Sequence, residues 1–90
     1  MSLLQELEQV TSVEAYVLVN CEAGRSWVIA EAALKLENVK VAHAVTGEYD
    51  VVACIEFADM NELTDVLSRF QTMEGVQKTH TAVAIPQKPK

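Results

Sequence analysis

An internal repeat constrains the fold of this chain more strongly than any other feature of its sequence. Residues 37–44 align with residues 74–81 at a constant offset, and the alignment places His43 on His80. Each segment follows a stretch with helical periodicity and has the residue types of a strand. Two copies of a strand–helix–strand unit with right-handed crossovers interleave into one antiparallel sheet with both helices on one face. The repeat therefore predicts an α+β fold, the ferredoxin-like βαββαβ plait with a four-stranded sheet.

The strands and helices can be placed from their patterns. We expect strands at residues 15–20, 39–46, 50–58 and 76–85. The first helix begins at residues 24–26, and its expected inward face comprises Val28, Ile29, Ala32, Ala33 and Leu36. The second begins at Asp59, where Glu62 completes a capping-box-like start, and its apolar stripe comprises Leu63, Val66, Leu67 and Phe70.

The repeat also predicts how the two helices end. Gly75 follows the second helix at the position where a left-handed backbone conformation is common, and the alignment places Asn38 on it. Glycine and asparagine tolerate this conformation better than other residues. We therefore expect Asn38 and Gly75 to end the two helices in the same way.

Short segments flank the plait at both ends. Residues 2–11 have helical spacing, and because so short a helix does not persist alone, it must pack on something, as a remnant or as an oligomer contact. Its apolar stripe comprises Leu3, Leu4, Leu7 and Val10. We divide the chain into an arm at residues 1–14, one domain at 15–85 and a frayed tail at 86–90 that contains two prolines.

The central strands predict an oligomer. When both helices lie on one face of a sheet, the other face is solvated and apolar residues alternate with polar ones. Residues 16–19 and 51–55 are apolar on both faces instead, and 50% of the chain is hydrophobic. A soluble monomer rarely exposes so large an apolar patch. We therefore expect a homodimer in which two sheets pack face to face about a two-fold axis.

Composition and charge exclude several kinds of function. The net charge is −6 and the seven Lys and Arg residues form no basic stripe, so we expect no direct DNA binding. No apolar run approaches the ~18 residues of a membrane span, and no signal peptide opens the chain. Cys21 and Cys54 stand at no metal or disulfide spacing. We expect a cytoplasmic protein without metal, cofactor or membrane contact.

The turn before the third strand contains more polar functional groups than the geometry of a turn requires. Gly47 accommodates a positive φ at little cost, and Asp50 can cap its own backbone, so a reversal forms easily here. Glu48 and Tyr49 add a second carboxylate and a phenol that turn geometry does not demand. The residues alone favour a well-made hairpin turn, but this loop is where we look for function.

With these residues in view, the chain resembles the effector-binding domain of the leucine-responsive regulatory protein/AsnC family, also called the regulation-of-amino-acid-metabolism domain. The resemblance covers residues 15–85 and rests on residues 15–20, 45–50 and 75–81. Its specific part is the Gly-Glu-Tyr-Asp element at residues 47–50, placed between the second and third strands of a plait.

The resemblance implies an assembly and a ligand site. Members of the family pair sheet to sheet, their dimers often close into octameric or similar rings, and a free amino acid is held between neighbouring dimers. The resemblance then implies that loop amides bind the ligand's carboxylate and that Asp50 binds its ammonium group. Tyr49 would form one wall of the pocket for the ligand's side chain. Carried over by position, the candidate ligand-binding residues are Gly47, Glu48, Tyr49, Asp50, Thr79 and Thr81.

One departure from the family concerns DNA binding. Full members carry an N-terminal helix-turn-helix domain, whereas only about fourteen residues precede the first predicted strand here. The chain resembles the stand-alone members, which sense amino acids by themselves or co-assemble with a full-length regulator. We expect a regulatory module of this kind, with no catalytic residues.

Two other classes of function stay open at this point. An ACT-type regulatory module would bind its ligand near Gly24, after the first strand. A cofactor-independent enzyme built on a dimeric α/β barrel would need an acid–base group, for which only His43, His80 and Tyr49 are available, and no nucleophile–base–orienter set is visible. The simpler interpretation of the two histidines is that they are ordinary strand residues. Trp27 is either a surface aromatic residue or part of a dimer edge.

Overall fold

The computed structural model describes residues 12–85. The predicted helix at residues 2–11 and the tail at residues 86–90 therefore lie outside the described residues. The elements are β1 (Val13–Cys21), α1 (Ser26–Leu34), β2 (Val39–Ala44), β3 (Val51–Phe57), α2 (Met60–Gln71) and β4 (Val76–Val83). The four strands form one antiparallel sheet in the order β2-β3-β1-β4, which confirms the predicted plait.

One face of the sheet is buried beneath both helices. Alternate residues of the central strands are inaccessible to solvent and pack against α1 and α2 in one apolar cluster. Its fully buried members of largest volume are Val17, Val19, Ile29, Val51, Ile55, Val66 and Phe70. Because this cluster joins all the central elements, it fixes where the loops at each end of the sheet must lie.

The expected inward face of α1 is partly wrong. Ile29 and Ala33 are buried as predicted, but Val28 is 48% exposed and Ala30 is buried instead. Each residue turns a helix by about 100°, which puts Val28 almost opposite the centre of the buried stripe. Apolar residues surround this helix on every side, so periodicity could not identify the face that packs.

The two helices end differently, which corrects the expectation for Asn38. Gly75 has a φ of 91°, but no non-glycine residue in the described chain has a positive φ, Asn38 included. The Asn38 amide instead donates to the Glu56 carbonyl at 2.8 Å and to the Glu62 carboxylate at 3.1 Å. Side-chain hydrogen bonds thus hold the first turn, whereas backbone conformation shapes the second.

The start of α2 follows the predicted cap. The Asp59 carboxylate accepts a hydrogen bond from the Glu62 amide at 2.9 Å, and Glu62 reaches back to the Ala58 amide at 3.4 Å. Arg69 and Asp65 form an i, i+4 ion pair at 3.1 Å on the exposed side of α2. Leu63, Val66 and Phe70 are buried, as the amphipathic stripe predicts.

Candidate functional site

The loop between β2 and β3 closes tightly. The Val45 amide donates to the Asp50 carbonyl at 2.9 Å, so β2 ends at Ala44, two residues before the predicted end. Gly47 has a φ of 117°, and a Cβ added there would meet no atom within 4 Å. Glycine is therefore needed at this position for its backbone conformation and not for space.

Three hydrogen bonds tie this loop to the end of β1. The Asp50 amide donates to the Val19 carbonyl at 2.8 Å, and Asp50 Oδ2 accepts from the Cys21 amide at 2.8 Å. The Asn20 side chain donates to the Glu48 carbonyl at 2.7 Å. The β1–β4 pairing shifts register between Asn20 and Cys21, so the backbone amide that Asp50 caps lies at this irregularity.

An aromatic contact joins the same loop to β4. The rings of Tyr49 and His80 lie edge to face, with centroids 5.5 Å apart and planes at 67°. His80 pairs in register with Leu18, on the face of the sheet that carries no helix. The loop thus crosses the end of β1 and places its phenol over the edge of the uncovered face.

The structure does not bring Thr79 and Thr81 to this loop within one chain. They pair in register with Val19 and Val17, which are buried beneath the helices, and directly paired residues share a face of the sheet. The Gln71 side chain of α2 donates to the Thr79 hydroxyl at 3.4 Å, on that same face. The two threonines and His80 therefore point to opposite sides of β4.

Cys21 lies beside the anchored carboxylate, in surroundings that disfavour its thiolate form. Burial raises the pKa of Cys21 above its ordinary value, and the charge of Asp50 and a hydrogen bond with it raise that pKa further. Arg25 partly opposes this. The thiol is thus held in its neutral form at physiological pH. Between residues 12 and 85, no group of three or more His, Cys, Asp or Glu side chains is arranged to hold a metal ion.

The side chains and amides that anchor the loop could not be identified from the sequence. Asn20 stands in a stretch that carries the family resemblance, but nothing in the sequence showed that its side chain would reach Glu48. The amide of Cys21 lies beyond the last β1–β3 pair, Val19 with Val51, and nothing in the sequence indicated that the Asp50 carboxylate would accept from it. The contact of Tyr49 with His80 likewise depends on the tertiary arrangement of the loop.

The uncovered face of the sheet is apolar at its centre, as expected. Tyr16 is 43% exposed and Val41 is 47% exposed, and Leu18, Val52 and Cys54 lie between them on this face. Charges occupy one end of the face, where Lys40 Nζ lies 2.7 Å from Glu14 and 3.6 Å from Glu56. The arrangement is an apolar centre with a polar margin, which is typical of protein interfaces.

Comparison with known proteins identifies the kind of domain. The family model described as the Lrp/AsnC ligand binding domain matches residues 14–89. The curated regulator FL11 of Pyrococcus abyssi, named as an HTH-type transcriptional regulator, is 30% identical over 74 residues, covering 82% of this chain and 49% of FL11. The chain thus spans about half the length of the curated regulators that it matches.

Two further relatives place the domain in different contexts. The crystal structure of TTHA0845 from Thermus thermophilus matches with a TM-score of 0.80 and 34% identity, covering 87% of this chain and 99% of that one. Homocitrate synthase of Sulfurisphaera tokodaii is 25% identical over 75 residues, which is 82% of this chain but only 16% of the enzyme. Within residues 12–85, no helix is long and apolar enough to cross a membrane.

Proposed function

We propose, because this chain belongs to the Lrp/AsnC ligand-binding domain family, that it is an oligomeric regulatory module that senses a free amino acid. The ligand binds at the loop of residues 47–50. The observation that carries this proposal is the anchoring of that loop by Asn20, Val19 and Cys21, which holds its charged and aromatic groups in place before any ligand arrives.

The loop offers the groups that an amino acid needs. Asp50 Oδ2 accepts a hydrogen bond from the Cys21 amide, and the negative charge of the carboxylate remains available to the ligand's ammonium group. The amides of Gly47 and Glu48 line an exposed turn and suit a carboxylate. Tyr49, held against His80, forms one wall for the ligand's side chain.

A neighbouring subunit completes this site. Thr79 and Thr81 lie on the opposite face of β4 from Tyr49, so they contribute hydroxyl groups to a ligand held by the loop of another subunit. The uncovered sheet face, with Tyr16, Leu18 and Val52, supplies the dimer contact. Dimers then associate further into a ring, octameric or similar, in which loops and strands of neighbouring dimers meet.

The module acts in the cytoplasm on other regulators and not on DNA. Its net charge of −6 opposes contact with phosphate backbones. FL11, which is named as an HTH-type transcriptional regulator, matches the chain over about half of its own length, and a regulator of that kind is the partner on which the module acts.

Two alternatives can be separated from this proposal. The match to homocitrate synthase supports a regulatory module that acts on an enzyme, as an ACT-type domain would. A ligand found near Gly24 and not near Tyr49 would favour that alternative. Catalysis by His43 or His80 is the weaker case, because neither lies in a set of acid, base and nucleophile among the described residues.

A screen of the twenty amino acids by thermal shift, followed by calorimetry, tests the proposal. We expect one or a few amino acids to raise the melting temperature of the intact protein. Tyr49→Ala should weaken binding of that ligand, whereas Thr64→Ala, on the exposed side of α2, should not. If none of the twenty binds, or if Tyr49→Ala leaves the affinity unchanged, the loop is only a turn.

A further inference from the structure

We propose that the amino acid bound beside Tyr49 has an acidic side chain, whose carboxylate is held by Lys78 and His80. This class of ligand rests on the proposed function, because it concerns the side chain of the same ligand. A neutral or basic amino acid bound at the loop would overturn the assignment of an acidic ligand and leave the proposed function intact.

Lys78 and His80 lie on β4 at the margin of the uncovered sheet face. Lys78 pairs in register with Asn20, and His80 pairs with Leu18. Leu18 belongs to the uncovered face, and side chains two residues apart on a strand point to the same side of the sheet. The ammonium and imidazole groups therefore project from one face, on residues whose Cα atoms lie roughly 7 Å apart along the strand.

Both residues adjoin the loop that carries the candidate site. The ring of His80 lies edge to face against Tyr49, with centroids 5.5 Å apart. Asn20, the strand partner of Lys78, donates to the Glu48 carbonyl at 2.7 Å and so holds the loop backbone next to Tyr49. A ligand side chain that packs on Tyr49 therefore lies beside an imidazole and within reach of an ammonium group.

The charge of Lys78 is not balanced by a carboxylate within the described part of the chain. Residues 12–85 contain five Lys and Arg side chains. Three of them form ion pairs with carboxylates in this part of the chain, and the two that form none are Lys35 and Lys78. Lys35 is the C-cap residue of α1, where the helix dipole favours a cation. Lys78 lies on a strand, so its charge remains available to a ligand.

A carboxylate matches these groups better than the other side chains of amino acids do. The phenol of Tyr49, a ring N–H of His80 and the ammonium of Lys78 are all hydrogen-bond donors, and a carboxylate accepts from several donors at once. An amide side chain has one oxygen to accept with and two N–H groups that these donors do not satisfy. A basic side chain would be repelled by Lys78 and would depend on the exposed carboxylate of Glu48.

Calorimetry with matched ligands tests the proposal in the intact protein. Glutamate and glutamine have the same shape and differ in charge, as do aspartate and asparagine. We expect one acidic amino acid to bind more tightly than the corresponding amide. Lys78→Gln should reduce this preference by about fivefold, as expected for an exposed ion pair, mainly by weakening binding of the acid. The matched control Lys35→Gln removes the same charge at the end of α1 and should leave the preference unchanged.

Substitutions of the two strand histidines separate hydrogen bonding from ring packing. His80→Phe keeps a ring against Tyr49 but removes the imidazole N–H, so the preference for the acid should fall while the amide binds as before. His80→Ala also removes the ring and should weaken binding of the acid and of the amide. His43→Phe is the matched control, because the pairs His43–Val52 and Val52–Leu18 place it at the opposite edge of the same row. It should change neither affinity.

Different results would overturn the acidic ligand and the proposed function. If an amide, a basic or an apolar amino acid binds most tightly, the ligand is not acidic, and loss of that binding in Tyr49→Ala would still support the proposed function. An equal preference for the acid in Lys78→Gln and in the intact protein would remove Lys78 from the site. A lower oligomer mass of that variant in light scattering would then assign Lys78 to a contact between subunits. If none of the twenty amino acids binds, the acidic ligand and the proposed function fail together.

Discussion

At the scale of single residues, Asp50 serves both as a structural acceptor and as the proposed charge partner of a ligand. Asp50→Asn keeps an oxygen that can accept from the Cys21 amide but removes the charge. We expect this variant to remain stable and to weaken amino-acid binding by roughly ten- to a hundredfold, since charge-assisted hydrogen bonds contribute about 1.5–3 kcal/mol. Calorimetry with the amino acid found in the screen measures the change.

Asp50→Ala separates the two roles of this side chain. It also leaves the Cys21 amide without its acceptor, so we expect the free energy of unfolding to fall by about 1–3 kcal/mol. Glu48→Gln is the matched control, because only the backbone carbonyl of Glu48 takes part in the anchoring. Equal stability of Asp50→Ala and Glu48→Gln in urea would show that the anchor does not hold the loop.

The thiol of Cys21 predicts a loss of stability at alkaline pH. Burial, followed by the charge of Asp50, raises the pKa of Cys21 in the folded protein above the ordinary value of 9.0. As the pH rises, the thiol therefore ionises in the unfolded chain before it ionises in the folded protein. The stabilisation is complete below the ordinary thiol pKa and is lost as the pH rises from that value through the raised pKa of the folded protein. Urea unfolding between pH 7 and pH 11 measures this decline. Cys21→Ala should reduce it, and Cys54, whose pKa burial also raises in the folded protein, accounts for part of what remains. An identical decline with and without Cys21 would contradict the prediction.

At the scale of elements, the cap of α2 should matter more for stability than its surface ion pair. Asp59→Ala removes the acceptor for the Glu62 amide and should cost about 1 kcal/mol in the free energy of unfolding. Asp65→Ala breaks the exposed pair with Arg69 and should cost no more than about 0.5 kcal/mol. Urea unfolding of both variants checks the order, and a larger cost for Asp65→Ala would contradict it.

Some features of the helices and strands could be predicted from the sequence, and others could not. The order of elements, the α2 stripe and the cap at Asp59 followed from patterns that local physics produces directly. The buried face of α1 could not be predicted in this way, because apolar residues surround that helix. Tertiary packing buries Ala30 and leaves Val28 exposed. The prediction that Asn38 adopts a left-handed conformation was wrong for a similar reason. Hydrogen bonds to Glu56 and Glu62 hold this turn, whereas the backbone conformation of Gly75 shapes the other.

The loop at residues 47–50 was predictable from the sequence, but its geometry was not. Gly47 and Asp50 marked the loop, and the structure adds Asn20 and His80, which lie far from it in the sequence. Thr79 and Thr81 were chosen by position in a resembling family, and only the strand register shows that they lie on the helix side of β4. Their part in the proposed site therefore requires a neighbouring subunit.

At the scale of the whole molecule, the uncovered sheet face is the apolar surface that predicts a partner subunit. This face runs across all four strands, from Val41 through Val52 and Leu18 to Ala82. At ~25 cal/mol per Å², a face of about 800 Å² provides ample gross energy for association. The sheet face is therefore the surface to alter when the dimer is tested.

We expect Leu18→Glu to weaken the proposed dimer without unfolding the chain. Leu18 lies on the uncovered face of the central strand β1, so a carboxylate there is tolerated in a solvated monomer but is left unpaired in a packed interface. Light scattering at micromolar concentration should give the mass of at least two chains for the intact protein and a lower mass for the variant. Ser68→Glu places the same charge on the exposed side of α2 and should leave the mass unchanged. A mass of one chain, about 10 kDa, for the intact protein would remove the basis for a site shared between subunits. An unchanged mass for Leu18→Glu would instead move the dimer contact to another surface.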